Sequence, residues 1–126
     1  LLCSSFQHPF YPYTDLNFCA PNVVHAPIAA GLGGAAFRSA VQEEWLPALD
    51  AFAPQMVYVS AGFDGHRDDE MSQLCLTEDD YAWVTQVICD LAARHAQGRV
   101  VSVLEGGYDL PALARSVRAH LDVLLT

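Results

Sequence analysis

The chain has 126 residues, 52% of them hydrophobic, and its 15 acidic against 6 basic side chains give a formal charge of −9. That length suits one modest domain or part of a larger one, and the apolar content excludes a disordered chain. The acidic balance argues against nucleic-acid binding through a basic surface, and no apolar run approaches the roughly 18 residues that span a membrane as a helix.

The sequence starts at Leu1, not Met, and Leu1–Ser5 already reads as the end of a buried strand. This predicts a fragment that starts inside a domain. Residues 6–21 hold Pro9, Pro12 and Pro21 among aromatic residues and read as an irregular loop. Asn22–Ile28 is a short apolar strand, broken by Gly31–Gly34. Over Ala35–Phe52, Phe37, Val41, Trp45, Leu49 and Phe52 recur at three- and four-residue steps, which predicts a helix. Pro47 inside that pattern removes a backbone donor and predicts a kink. Pro54 precedes a strand over Gln55–Ser60. Thr77, with Asp80 three residues on, reads as an N-cap. It opens a helix in which Tyr81, Val84, Ile88 and Leu91 share a face, and Gly98 is placed to end it in a left-handed conformation. Arg99–Leu104 reads as a β-branched strand of the buried kind. Asp109 is placed to cap a final helix that tolerates Pro111 in its first turn. The alternation predicts an α/β fold of βαβ units with a parallel sheet covered on both faces.

Cys3, Cys19, Cys75 and Cys89 form no Cys-x-x-Cys pair. Their scatter predicts reduced thiols in a cytoplasmic protein, not a disulfide framework or a structural zinc knot.

Two segments carry chemistry. Ser60-Ala61-Gly62-Phe63-Asp64 and Leu104-Glu105-Gly106-Gly107-Tyr108 are each the end of an apolar run that stops at a small-residue loop bearing one reactive side chain. In a parallel α/β sheet, ligands bind outside the carboxyl ends of the strands, so the carboxylate and the phenol are expected on one rim. A carboxylate there can bind a metal, and a phenol can stabilise developing negative charge. Position alone leaves Asp64 open as a turn or cap aspartate, and Tyr108 as a ring packed over the sheet edge. Asp68, Asp69 and Glu70, beside Arg67, read as a solvated loop with local ion pairs. His8, His25, His66, His95 and His120 show no metal-binding spacing. His95 and His120 fall in the expected helices as surface or boundary residues, and His66 lies within reach of the rim. No phosphate-binding glycine loop and no Gly-x-Ser-x-Gly elbow occurs. A catalytic zinc normally needs three protein ligands, and the chain offers one convincing candidate.

At these residues the chain resembles the histone deacetylase superfamily, which includes bacterial deacetylase-like amidohydrolases, acetylpolyamine amidohydrolases and acetoin-utilisation proteins. The resemblance rests on Ser-Ala-Gly-Phe-Asp at 60–64, Asp-Asp-Glu-Met at 68–71, Leu-Thr at 76–77 and Leu-Glu-Gly-Gly-Tyr at 104–108, and it runs over essentially the whole chain. Gln7-His8-Pro9-Phe10-Tyr11-Pro12 resembles the loop that walls the family's substrate channel. Leu-Glu-Gly-Gly-Tyr is closer to the class II and bacterial branch than to class I. Tyr13 stands where many members have glycine, and Phe6 where many have histidine.

The resemblance implies the C-terminal portion of a three-layer arginase/deacetylase-like α/β fold with a mainly parallel sheet, residues 1–126 being the C-terminal part of one catalytic domain. It implies Zn2+ as cofactor and an acetylated lysine or other acetylated amine as substrate, and it leaves oligomerisation of the intact protein open. Residue by residue, Asp64 matches a zinc ligand and Tyr108 the tyrosine that polarises the scissile carbonyl. Gly106 and Gly107 match backbone beside the acetyl-lysine tunnel, Tyr11 a tunnel-wall aromatic and Met71 a pocket-rim position. Methionine at 71, in place of the acidic gatekeeper of a polyamine-selective branch, favours acyl-lysine-like substrates. The other two zinc ligands and the proton-handling histidine pair are expected upstream, so the chain alone is expected to be inactive and poorly soluble. The alternatives are a deacetylase of acetylpolyamines or other small amides, and a catalytically dead binding module; intact Asp64 and Tyr108 favour an enzyme.

Overall fold

The computed structural model describes residues 1–18 and 20–126; the expectation of a reduced thiol at Cys19 lies outside them. Four parallel-paired strands and four α-helices follow one another in the anticipated order. Strand β1 (Leu2–Gln7) pairs with β2 (Val23–Ile28), and β3 (Val57–Ala61) pairs with β4 (Val100–Leu104). Helices α1 (Gly34–Ala40) and α2 (Leu46–Phe52) lie between β2 and β3, α3 (Glu78–His95) links β3 to β4, and α4 (Leu110–Leu124) follows. Both pairs are parallel, but they form two separate two-stranded sheets, not one continuous sheet.

The core gathers Ile28, Phe37, Val41, Ala61, Phe63, Leu74, Leu76 and Tyr81, with Trp45, Trp83 and Leu113 packed around them. The helical period of Phe37 and Val41 is therefore used as expected, whereas Phe52, at the end of the same stripe, is exposed. Pro47 does not simply kink that helix. The turn before it, Val41–Trp45, widens into a π-helical segment that joins α1 to α2. A proline ring clashes with the carbonyl four residues back in a regular α-helix, and a π turn moves that carbonyl out of register.

Helix α3 starts where the Thr77–Asp80 spacing places it. The Thr77 N–H donates to Asp80 Oδ2 at 2.9 Å, and the Thr77 hydroxyl donates to the same oxygen at 3.1 Å. The other oxygen of this buried carboxylate accepts from Arg38 Nε at 3.0 Å and Nη2 at 2.8 Å, which ties α1 to α3. Gly34 permits the approach, since a Cβ there would collide with the Asp80 carboxylate. Gly98 adopts the left-handed conformation (φ +74°), and Asp109 caps α4 by accepting from Ala112 N at 2.8 Å.

Three burial expectations are corrected. Strand β1 does not begin as a buried strand: Leu1 and Leu2 are exposed, Cys3 to Phe6 are half-buried, and within β1 only Gln7 is buried. Strand β4 is not buried: Val101, Val103 and Leu104 are exposed, because no further strand or helix covers them among the described residues. His120 is not a surface residue but is 6% exposed on the inner side of α4. Its Nδ1 lies 2.7 Å from Thr85 Oγ1 and its Nε2 lies 2.8 Å from Ser102 Oγ. Thr85 gives its own proton to the Tyr81 carbonyl, so it accepts from Nδ1–H, and Nε2 accepts from Ser102. A neutral imidazole thus pins α4 to α3 and β4, and burial holds its pKa below the ordinary value. His95 sits at the surface as expected, with Nε2 2.8 Å from Asp50 Oδ1.

Candidate active site

The β3–β4 pairing continues beyond the strands into the two signature loops. Ala61 is in register with Leu104. Glu105 N then donates to Ala61 O at 3.0 Å, and Phe63 N donates to Gly106 O at 2.8 Å. Asp64 and Tyr108 follow immediately on these two joined backbones. Both line one cavity of about 920 Å³, together with Phe10, Tyr11, Met71 and Gly106. Tyr108 is 60% exposed, Tyr11 78% and Met71 54%.

The loop bearing Asp64 is fixed from below. The Tyr81 hydroxyl donates to Phe63 O at 3.1 Å, and the Ser72 hydroxyl donates to Asp64 O at 2.9 Å. Burial, with the nearby charges of Asp64, Asp69 and Asp80, holds the Tyr81 phenol far above its ordinary pKa, so it stays a donor. The Asp64 carboxylate itself is half-buried between two glycines. A Cβ on Gly106 would stand 2.5 Å from Asp64 Oδ2, and one on Gly62 would stand 3.4 Å from Oδ1. Burial pushes its pKa up, and the like charges of Asp69 and Glu105 push the same way, against a hydrogen bond from its own backbone. A desolvated carboxylate beside other anions suits a cation, and the glycine walls leave room at its oxygens. It is nonetheless a single donor: among the described residues no group of three His, Cys, Asp or Glu side chains could hold a metal ion.

Gly107 stands apart from Gly106. Its φ is +136°, and a Cβ there would meet Leu113 Cδ1 at 2.6 Å and Phe63 Cβ at 3.3 Å. It serves the packing of the loop on α4, and the cavity wall is formed by its neighbours Gly106 and Tyr108.

The acidic run after Asp64 is not uniformly solvated. Asp68 makes the expected local ion pair with Arg67 Nε at 3.8 Å and, beyond that expectation, one with Arg115 Nη2 at 2.9 Å, and Glu70 is exposed. Asp69 is 5% exposed. Its Oδ2 accepts from Tyr108 N at 2.6 Å and Asp109 N at 3.1 Å, and its Oδ1 accepts from Met71 N at 2.9 Å. Composition gave no sign of this, because two of the three amides it serves lie 39 and 40 residues downstream. His66 lies beneath the loop, 1% exposed, with Nδ1 accepting from Asp68 N at 3.1 Å and Nε2 3.4 Å from Glu78 Oε1. Arg115 bonds Glu78 as well, holding the Glu78 carboxyl down to about 2.

The model of the histone deacetylase domain matches residues 1–124. The chain belongs to the histone deacetylase family. It is 38% identical to a type-2 histone deacetylase of Dictyostelium discoideum over 107 residues, 82% of this chain and 6% of that protein. It is 40% identical to a histone deacetylase-like amidohydrolase of Pseudomonas aeruginosa over 85 residues, 68% of this chain and 22% of that one. Among solved structures it superposes on the HDA15 HD domain with a TM-score of 0.88 at 33% identity, covering 98% of this chain and 36% of that one. It superposes on an acetylpolyamine aminohydrolase of Burkholderia pseudomallei with a TM-score of 0.82 at 30% identity, covering 97% and 36%. The α/β fold is thus that of the deacetylases and acetylpolyamine aminohydrolases, and the chain spans about a third of the length of these solved relatives.

Proposed function

We propose that the chain is the C-terminal part of the catalytic domain of a zinc-dependent amidohydrolase that removes acetyl or acyl groups from lysine-type amines. The observation that carries this reading is the shared cavity of Asp64 and Tyr108, held together by the Phe63–Gly106 backbone bond. Zinc, when bound, supplies a Lewis acid toward water and the amide carbonyl. Asp64 is one of its ligands, and the other ligands and the proton-handling histidines come from the rest of the domain. The Tyr108 hydroxyl donates a hydrogen bond to the carbonyl oxygen as negative charge develops there. The phenol is 60% exposed in this chain, and such a bond becomes stronger than in bulk solvent once the rest of the domain closes the site off from water. Tyr11 and Met71 wall the channel along the aliphatic part of the substrate. The 126-residue chain by itself is inactive, since one carboxylate does not retain a catalytic zinc. Among the described residues three thiols are free, those of Cys3 and Cys89 raised in pKa by burial, and reduced thiols fit a cytoplasmic setting. Separately, no helix among the described residues is long and apolar enough to cross a membrane.

In the protein carrying the complete domain, Tyr108→Phe lowers turnover of an acetyl-lysine peptide by about 100- to 1,000-fold with zinc content unchanged. Turnover near that of the wild type would remove Tyr108 from this role. The similarity to an acetylpolyamine aminohydrolase and the exposed Glu70 beside Met71 favour a second reading, a cationic acetylated polyamine as substrate. A turnover panel of acetyl-lysine peptide against acetylputrescine separates the two.

A further inference from the structure

The acidic loop contains one carboxylate that neither the metal role of Asp64 nor the surface ion pairs of Asp68 account for. Asp69 is buried, and the salt bridges of its neighbours pass it by. Its two oxygens are taken by three backbone N–H groups: Tyr108 and Asp109 on Oδ2, Met71 on Oδ1. Charge-assisted bonds of this kind are short and strong, and the one to Tyr108 N, at 2.6 Å, is the shortest of the three. The 106–109 loop needs such an anchor. Beyond Gly106, whose carbonyl holds Phe63 N, Gly107 takes a left-handed turn, and the Tyr108 side chain projects largely exposed into the cavity. The same carboxylate fixes the backbone of Met71, on the same cavity's wall.

We propose that Asp69 is a positioning residue for Tyr108: its carboxylate, by accepting from the Tyr108 and Asp109 amides, sets where the phenol stands over the reacting carbonyl. This rests on the reading of Tyr108 as the oxyanion donor. A displacement of about 1 Å in a catalytic group can cost about 100-fold in rate.

The experiment uses the protein with its complete catalytic domain. Asp69→Asn keeps the shape but replaces one acceptor oxygen by an N–H donor facing a backbone N–H. It lowers kcat by about 10- to 100-fold while KM stays within about threefold and zinc content is unchanged. In a Tyr108→Phe background the same substitution causes no further loss, since Asp69 acts through the hydroxyl already removed. Hydrogen exchange of the peptide spanning residues 105–110 speeds up at the Tyr108 and Asp109 amides in Asp69→Asn, while the α3 peptides keep their protection. A kcat within twofold of the wild type, or an equal loss in both backgrounds, overturns the proposal. If the wild-type protein hydrolyses no acetylated amine, the proposed function fails, and exchange at the two amides decides the anchor on its own: unchanged rates overturn it.

Discussion

At Gly106 the backbone is not in the positive-φ region that a side chain resists, so an alanine there is conformationally acceptable and acts only through its methyl group. That methyl would stand 2.5 Å from Asp64 Oδ2 and must push the carboxylate aside. If Asp64 ligates zinc as proposed, Gly106→Ala is therefore expected to leave the fold intact by circular dichroism and to lower the zinc content of the intact protein, read by metal analysis after dialysis. At Gly107 the outcome differs, because φ is +136° and Leu113 blocks the methyl from α4. Gly107→Ala is expected to lower the melting temperature. The placement of Asp64 and Tyr108 on one rim was legible because each follows an apolar run beside small residues, whereas their proposed roles come from the family resemblance and not from that pattern. Asp69 was not legible, since an acidic triplet reads alike whether it faces water or folds inward. Only the position of a distant loop distinguishes the two.

Helix starts were the most readable elements, and Asp80 shows both the reach and the limit of such reading. Its spacing from Thr77 announces a capping box, and the box is there. The clamp from Arg38, forty-two residues away, has no local signal. Losing the cap costs about 1 kcal/mol, and losing a charge-assisted bond to a partly exposed arginine adds about as much. Asp80→Ala is thus expected to lower stability by about 2 kcal/mol in urea titrations of the intact protein; a loss under about 0.5 kcal/mol would show that Arg38 and water compensate. Pro47 was read as a kink, yet the chain absorbs it in a π turn. Sequence names the obstacle but does not say which backbone register yields.

Across the whole molecule, β-branched strands were recognisable, but their burial depends on neighbours that a pattern of residues does not contain. Tyr58, Val101, Val103 and Leu104 are left in solvent, and open strand edges template association. The isolated 126-residue chain is expected to aggregate during size-exclusion chromatography and to show no deacetylase activity. Acid sensitivity also belongs to this scale. His120 bridges three elements with its pKa held below 6.5 by burial, so the unfolded chain takes up the proton first. Its contribution is complete above pH 6.5 and fades as pH falls through the folded-state value. Melting curves of the intact protein are expected to drop in temperature from pH 7 to pH 5, a step that His120→Gln should flatten. A second decline follows between about 4.5 and 2, where Glu78 loses the charge that holds Arg115.

The rungs between β3 and β4 do not stop where the strands do; Glu105 to Ala61 and Phe63 to Gly106 add two more. The separation of the acid from the phenol is therefore metered by strand alignment. A slip of a single rung would carry one loop about 3.3 Å past the other and turn its side chains to the opposite face. Slippage of that kind would silence the cavity while leaving every helix in place.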